Sequence, residues 1–117
     1  MWAADRLIEI EERFSDLVEC VLPLELDGET LRLALYLKDG TTLRLAEQWN
    51  GAVLERYSYY WLTGDNQLKI GWDNAPHHTR LATFPHHKHV ERQDNLQTSA
   101  ETTLEAVMEI IRKGSAG

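Results

Sequence analysis

Five histidines fall within thirteen residues, and this concentration is the chemically richest feature of the sequence. They are His77, His78, His86, His87 and His89. Imidazole accepts and donates protons near neutral pH, and it is also the commonest metal ligand. The surrounding residues 69–92 hold four bases and two acids, so they are locally basic in a chain whose formal charge is −7. We therefore predict that the functional surface lies in residues 72–89.

One interpretation of this segment is acid–base catalysis on RNA. Cleaving RNA through its 2′-hydroxyl needs a base, an acid and a cation for the phosphate. The candidate catalytic groups are the five histidines and Asp73. The candidate substrate-binding groups are three cations for phosphate, Lys88, Arg80 and Arg92, and four aromatic residues for stacking with bases, Tyr57, Tyr59, Trp61 and Trp72.

Metal binding is a second interpretation. His87 and His89 share one face if they lie on a strand, because side chains two residues apart point the same way. A third ligand from His78, His77 or Asp73 would give the N and O donor set of a zinc site, although the spacing fits no common zinc motif. Zinc would be an optional cofactor, since acid–base catalysis requires none. Such a protein could also act without turnover, by occupying a nucleic acid or a protein partner.

The third interpretation is structural. Histidines in a loop bounded by prolines can be solvated or can bond to backbone carbonyls. Alternating aromatic residues such as Tyr57, Tyr59 and Trp61 usually belong to a core. An aspartate at the end of a strand, here Asp73, is often only a turn former. All three interpretations stay open at the level of sequence.

Composition narrows the class of protein. The 117 residues fit a single domain, 1–117, with 43% apolar and 26% charged residues. The first residues are acidic and no apolar run is long enough to span a bilayer, so we expect a cytoplasmic protein without a membrane partner. The lone Cys20 cannot form an internal disulfide, and we expect it to be buried. The sequence argues against nucleotide-cofactor enzymes and serine hydrolases, because it shows no glycine-rich phosphate loop and no nucleophile elbow.

Hydrophobic periodicity predicts an α+β fold in which an antiparallel meander of five or six strands packs both helices on one face. The predicted helices span about residues 3–20 and 102–113. The predicted strands span about residues 22–27, 30–38, 41–49, 53–62, 67–72 and 86–92. Thr102 and Glu105 have the spacing of a capping box at the second helix, and Gly114 is expected to end that helix.

The predicted hairpin between strands 30–38 and 41–49 has a specific register. A two-residue loop at Asp39-Gly40 would place Leu35 opposite Arg44. A three-residue loop, 38–40, places Leu35 opposite Leu43 instead, so that leucines face each other across the strands. The apolar pattern therefore favours the three-residue loop with Gly40 in the left-handed conformation.

Three segments have a distinctive composition: Tyr57-Ser58-Tyr59-Tyr60-Trp61, Trp72-Asp73-Asn74-Ala75-Pro76-His77-His78 and Thr83-Phe84-Pro85-His86-His87-Lys88-His89-Val90. Together they resemble the TumE family of small bacterial and archaeal proteins, described as toxins of toxin–antitoxin systems. The resemblance covers about residues 55–113 and implies a toxin with a cognate antitoxin. Small bacterial toxins commonly cut RNA, which agrees with the acid–base interpretation. The acidic first helix is a candidate docking surface for a basic antitoxin or simply a solvated face, and a homodimer stays open.

Overall fold

The chain is described here by a computed structural model, which covers residues 1–76 and 81–116. Its elements are α1 (Ala3–Arg13), β1 (Val18–Asp27), β2 (Thr30–Leu37), β3 (Thr42–Asn50), β4 (Val53–Leu62), β5 (Leu68–Asp73), β6 (His87–Val90), β7 (Leu96–Thr98) and α2 (Leu104–Ala116). Within the described residues, seven strands form one antiparallel sheet in chain order. The predicted α+β meander is confirmed, with one strand more than expected.

The two faces of the sheet differ sharply in composition. On β2, Leu31, Leu33, Leu35 and Leu37 are buried, whereas Arg32 and Tyr36, which lie between leucines, are exposed. We call the face that carries the leucines the inner face, since both helices pack on it, and the opposite face the outer face. The inner core consists of apolar residues from both helices and from β2 to β5: Ala3, Ile10, Phe14, Leu31, Leu33, Leu35, Leu37, Leu43, Leu45, Tyr57, Tyr59, Trp61, Trp72, Leu104, Val107, Met108 and Ile111.

The hairpin of β2 and β3 has the predicted register. Leu35 pairs with Leu43 and Leu33 pairs with Leu45. Gly40 has a φ of 89°, a left-handed conformation that glycine adopts at low cost. The prediction of a three-residue loop is therefore confirmed.

The first helix is shorter than predicted. It ends at Arg13, and Val18–Asp27 forms the edge strand β1 instead of the last turns of a helix. Leu17, just before β1, and Val21, within it, still pack against the core. These apolar residues therefore reach the core without a helix. Cys20 is exposed in β1, and the expectation that it would be buried was wrong.

The C-terminal region also departs from prediction. The helix α2 begins at Leu104 and is capped by Thr103, whose hydroxyl accepts a hydrogen bond from the N–H of Ala106 at 3.2 Å. Glu105 turns instead toward Arg6 of α1, at 3.3 Å. The helix runs past Gly114, where it was expected to end, and a short strand, β7, lies between residue 92 and the helix, where no strand was predicted. The preceding strand, β6, is also shorter than residues 86–92.

A buried arginine joins α1 to the sheet. The guanidinium of Arg6 donates to both carboxylate oxygens of Glu47, at 2.8 and 3.0 Å, and both side chains are almost fully buried. Glu47 also accepts hydrogen bonds from the Tyr59 hydroxyl at 2.6 Å and the Trp49 indole at 3.0 Å. The carboxylate is thus fully partnered, as a buried charge requires.

Candidate functional site

The candidate site is formed where two neighbouring strands meet on the outer face. Asp73 is the last residue of β5 and pairs directly with His87, the first residue of β6. His89 pairs with Gly71 one step further along. Since residues paired across an antiparallel ladder share a face, and alternate residues of a strand do too, the three polar side chains converge. We call Asp73, His87 and His89 the Asp–His cluster.

The cluster is tightly packed and largely buried. The Nε2 atom of His87 lies 2.7 Å from Oδ1 of Asp73, and Nε2 of His89 lies 3.6 Å from Oδ2 of the same carboxylate. The two imidazole rings meet edge to face, with centroids 5.1 Å apart. His87 is 2% exposed, His89 7% and Asp73 8%. Polar groups this buried need defined partners, which the cluster supplies internally.

Backbone carbonyls fix both imidazole rings. Nδ1 of His87 lies 3.0 Å from the carbonyl oxygen of Pro85, and Nδ1 of His89 lies 2.8 Å from that of Gln93. A carbonyl only accepts hydrogen bonds, so each Nδ1 carries a hydrogen and each Nε2 is directed at Asp73. The Nε2 of a neutral ring with hydrogen on Nδ1 presents a lone pair. Such a lone pair beside a carboxylate can accept a proton or bind a metal ion.

Asp73 is oriented by two further donors. The N–H of Ala75 donates to Oδ1 at 3.0 Å, and the hydroxyl of Tyr60 donates to Oδ2 at 3.3 Å. Burial, and then the charge of Asp73 and its hydrogen bond, raise the pKa of Tyr60 to about 12, so the hydroxyl keeps its proton at neutral pH. The contact with Ala75 is the turn-forming bond that the structural interpretation expects. Asp73 thus forms the turn and also faces both histidines.

The cluster has the donor set of a metal site. One ligand atom from each of Asp73, His87 and His89 lies within 4.8 Å of the other two. Catalytic zinc sites commonly use three protein ligands and leave a fourth position open. Ligating histidines usually donate their other ring N–H to a carbonyl or a carboxylate, as both rings do here. The predicted ligands His87 and His89 are therefore together, and Asp73 stands beside them; His78 lies outside the described residues.

A groove of about 360 Å³ leads from the cluster across the outer face. Asp73 lines one end, Arg32 and Arg56 line the far part, and Ala46 and Ser58 line the stretch between them. Small side chains at these two positions leave the space above the strands open. Through Asp73, the buried cluster is therefore connected to a recess that a ligand can enter.

The four aromatic residues predicted to stack with bases lie elsewhere. Tyr57, Tyr59, Trp61 and Trp72 are all buried on the inner face, beneath the helices. The indole N–H of Trp72 donates to Glu101 at 3.0 Å. Their position in the core agrees with the structural interpretation of these residues.

The remaining predicted site residues are dispersed. Lys88 lies on the inner face opposite Trp72 and forms an ion pair with Glu101 at 3.3 Å. Arg92 lies beyond the end of β6, exposed and 3.6 Å from Asp94. His86 packs against Tyr57, its Nδ1 lying 2.9 Å from the hydroxyl. The predicted residues His77, His78 and Arg80 lie outside the described residues.

Sequence reasoning missed Tyr60 and Gly71. Tyr60 follows Tyr59 on β4, so strand alternation already places it on the outer face, away from the core aromatics. A Cβ atom on Gly71 would lie 2.3 Å from the ring of Tyr60, which means that the ring lies directly over this glycine. Glycine within a strand often marks such a close approach. The pair Tyr60 and Gly71 was therefore recognisable from alternation and composition.

The fold and the site define a small α+β protein with a buried carboxylate–imidazole cluster at the end of a surface groove. A family model described as Toxin TumE matches residues 4–114, and the chain belongs to this family of toxins. The match includes α1 to β3, which the sequence resemblance did not cover. No curated protein and no solved structure matches the chain. Among the described helices, none combines the length and the apolar character needed to cross a bilayer.

Proposed function

We propose that this toxin cleaves RNA and that the Asp–His cluster is its catalytic centre. The observation that carries the proposal is the convergence of His87 and His89 on the carboxylate of Asp73 at the end of a groove. Two titratable rings held by backbone carbonyls beside one carboxylate form a pre-organised proton-transfer site. The proposed location is the cytoplasm, where RNA is accessible.

The proposed chemistry uses the 2′-hydroxyl of the RNA as the nucleophile. This oxygen attacks the adjacent phosphorus while its proton passes to His89, the general base. The bond from phosphorus to the 5′ oxygen breaks, and that oxygen takes a proton from His87, the general acid. The products are a 2′,3′-cyclic phosphate and a 5′-hydroxyl. We assign His87 as the acid because it is the ring nearer to the carboxylate that would stabilise an imidazolium: its Nε2 lies 2.7 Å from Asp73, against 3.6 Å for His89.

A divalent metal ion is a second candidate for the same centre. It is favoured by the three ligand atoms within 4.8 Å and by the carbonyls that fix both Nδ1 atoms. His87, His89 and Asp73 would then hold zinc through the two Nε2 atoms and one carboxylate oxygen. A metal at this point would polarise a phosphoryl oxygen and lower the pKa of a bound water.

Growth arrest tests the proposed centre in cells. Asp73→Asn keeps the size of the side chain but removes its charge, so it should abolish toxicity while the protein still accumulates. His87→Ala and His89→Ala should do the same. Asp94→Asn is the matched control, because this exposed aspartate lies outside the cluster and pairs with the exposed Arg92. If all three cluster variants arrest growth as strongly as Asp94→Asn, the cluster is not the centre.

We also propose that a cognate antitoxin protein neutralises the chain, as membership of a toxin family suggests. The exposed acids of α1, Asp5, Glu11 and Glu12, stay a candidate surface for a basic partner. Co-expression of the neighbouring gene should restore growth and co-purify a complex. Arg6, on the same helix, points inward to Glu47 and should be unaffected by complex formation. Failure of any neighbouring gene product to restore growth would contradict this pairing.

A further inference from the structure

We propose that the outer face of the sheet binds single-stranded RNA along a row of three arginines, which guides the strand to the Asp–His cluster. The arginines are Arg32, Arg44 and Arg56, and we call them the arginine row. The inference rests on the proposed function, because it takes RNA as the substrate. It adds the path by which the substrate reaches the cluster and the groups that hold it.

Strand register places the arginine row beside the cluster. Arg32 pairs with Ala46, Ala46 with Ser58, Ser58 with Asp73 and Asp73 with His87, in one line across five strands. Since neighbouring strands are about 4.8 Å apart, Arg32 and Asp73 stand about 14 Å apart along this line. The two positions between them carry small side chains, which form the floor of the groove.

The adjacent lines supply the other two arginines. Arg44 pairs with Tyr60, and Tyr60 pairs with Gly71. On the opposite side of the groove, Arg56 pairs with Gln48. One arginine therefore stands on each side of the Ala46 and Ser58 floor, and Arg32 stands at its far end.

The side chains of the arginine row are all exposed, and none forms an ion pair within the part of the chain that the structure describes. Glu25 pairs with Arg32 across the strands, but at no ion-pair distance. By contrast, Arg6 binds Glu47. Three unpaired guanidinium groups on one face of a protein of charge −7 form a local binding surface for phosphate.

Aromatic rings on the same face suit unpaired bases. Tyr60 forms one wall of the groove and Tyr36, 44% exposed, stands further along β2. Single-stranded nucleic acid is bound by a charged groove together with aromatic rings on which bases stack, and four-stranded sheets present RNA-binding aromatics in this way. The groove is recessed between side chains, so a flexible single strand can enter it more deeply than a rigid duplex.

Binding of labelled single-stranded RNA tests the arginine row apart from cleavage. Every protein carries Asp73→Asn, so that the RNA stays intact. The test variant adds R32Q, R44Q and R56Q. The control adds R13Q, K38Q and K113Q, which removes the same charge from exposed residues outside the outer-face groove. Circular dichroism and thermal melting confirm that both variants fold.

We expect the test variant to lose at least about tenfold in RNA affinity relative to the control. Each phosphate contact contributes about 0.7 to the slope of log affinity against log salt for single strands, so the slope should fall by about 2. Duplex RNA of the same sequence should bind more weakly than the single strand. Single-stranded DNA serves as a third probe, and a row that binds phosphate should lose affinity for it in the same variant.

Each outcome separates the two proposals. Equal RNA binding by test and control variants overturns the arginine row and leaves cleavage untouched. Arginine-dependent binding without cleavage by the unmodified toxin supports the row and contradicts the proposed function. No RNA binding by the protein with intact arginines overturns both. If the test variant loses antitoxin binding but keeps RNA binding, the row is a protein interface and the inference fails.

Discussion

The ring of Tyr60 lies directly over Gly71, where a Cβ atom would approach its carbons to 2.3 Å. This contact allows the Tyr60 hydroxyl to reach across to β5 and donate to Asp73 at 3.3 Å. The absence of a side chain at position 71 therefore positions a ring that orients the carboxylate of the cluster. Gly71 has no functional group, but through the ring of Tyr60 it affects the geometry of the Asp–His cluster.

Substituting Gly71 tests this link. Gly71→Ala should displace the Tyr60 ring and destabilise the fold by about 1–3 kcal/mol, the usual cost of overpacking. It should also slow RNA cleavage, because Asp73 loses an orienting donor. Urea unfolding measures the first effect. In a Tyr60→Ala background the ring is absent, so Gly71→Ala should then cost little. An equal cost in both backgrounds would show that the ring is not the obstacle.

Arg6 gives a prediction about stability alone. Arg6→Ala leaves Glu47 buried, and it should destabilise the fold by about 3–5 kcal/mol, as removal of one member of a buried ion pair does. The partners Glu47 and Glu105 outweigh desolvation and raise the pKa of Arg6 above its ordinary value. Arg13→Ala is the control, since its exposed contacts with Glu9 and Glu105 should contribute less than about 1 kcal/mol. Similar unfolding midpoints for both variants would contradict the structural role of Arg6.

Much of this fold follows from local patterns in the sequence. Alternation of Leu31, Leu33 and Leu35 identifies the inner face, and opposed leucines select the register of the hairpin of β2 and β3. Hydrophobic periodicity predicts the wrong element at residues 14–21. The few apolar residues there have a spacing that fits both a helix and an irregular entry into a strand. In addition, β1 is an edge strand whose residues are mostly exposed. Its sequence therefore shows little of the apolar alternation from which a strand is predicted.

The site was only partly predictable, for a different reason. Asp73, His87 and His89 were candidates by type, but thirteen residues separate Asp73 from His87. A connection of that length hides the register between β5 and β6, which brings the two side chains together. Trp72 was predicted to stack with bases from its residue type alone. The sequence did not show which face of the sheet the side chain occupies, and it is buried on the inner face, beneath the helices.

Zinc and chelator distinguish the two candidate mechanisms. If His87 and His89 act as acid and base, cleavage should survive EDTA, and added zinc should inhibit it by occupying both Nε2 atoms. If the cluster works through a metal, EDTA should abolish cleavage and zinc or manganese should restore it. Cleavage rates with each addition provide the measurement. Elemental analysis of purified Asp73→Asn and Asp94→Asn proteins, with equal metal content in both, would exclude the cluster as the metal site.

The most direct test of the central claim is cleavage of a defined single-stranded RNA by the purified toxin. The proposed centre predicts fragments ending in a cyclic phosphate and a 5′-hydroxyl, and a rate at least about 10²-fold lower for the folded Asp73→Asn, His87→Ala and His89→Ala proteins. The Asp94→Asn protein should cleave at the unmodified rate. Undiminished cleavage by the three cluster variants, or no RNA cleavage by the active toxin, would contradict the assignment of Asp73, His87 and His89 as the catalytic centre.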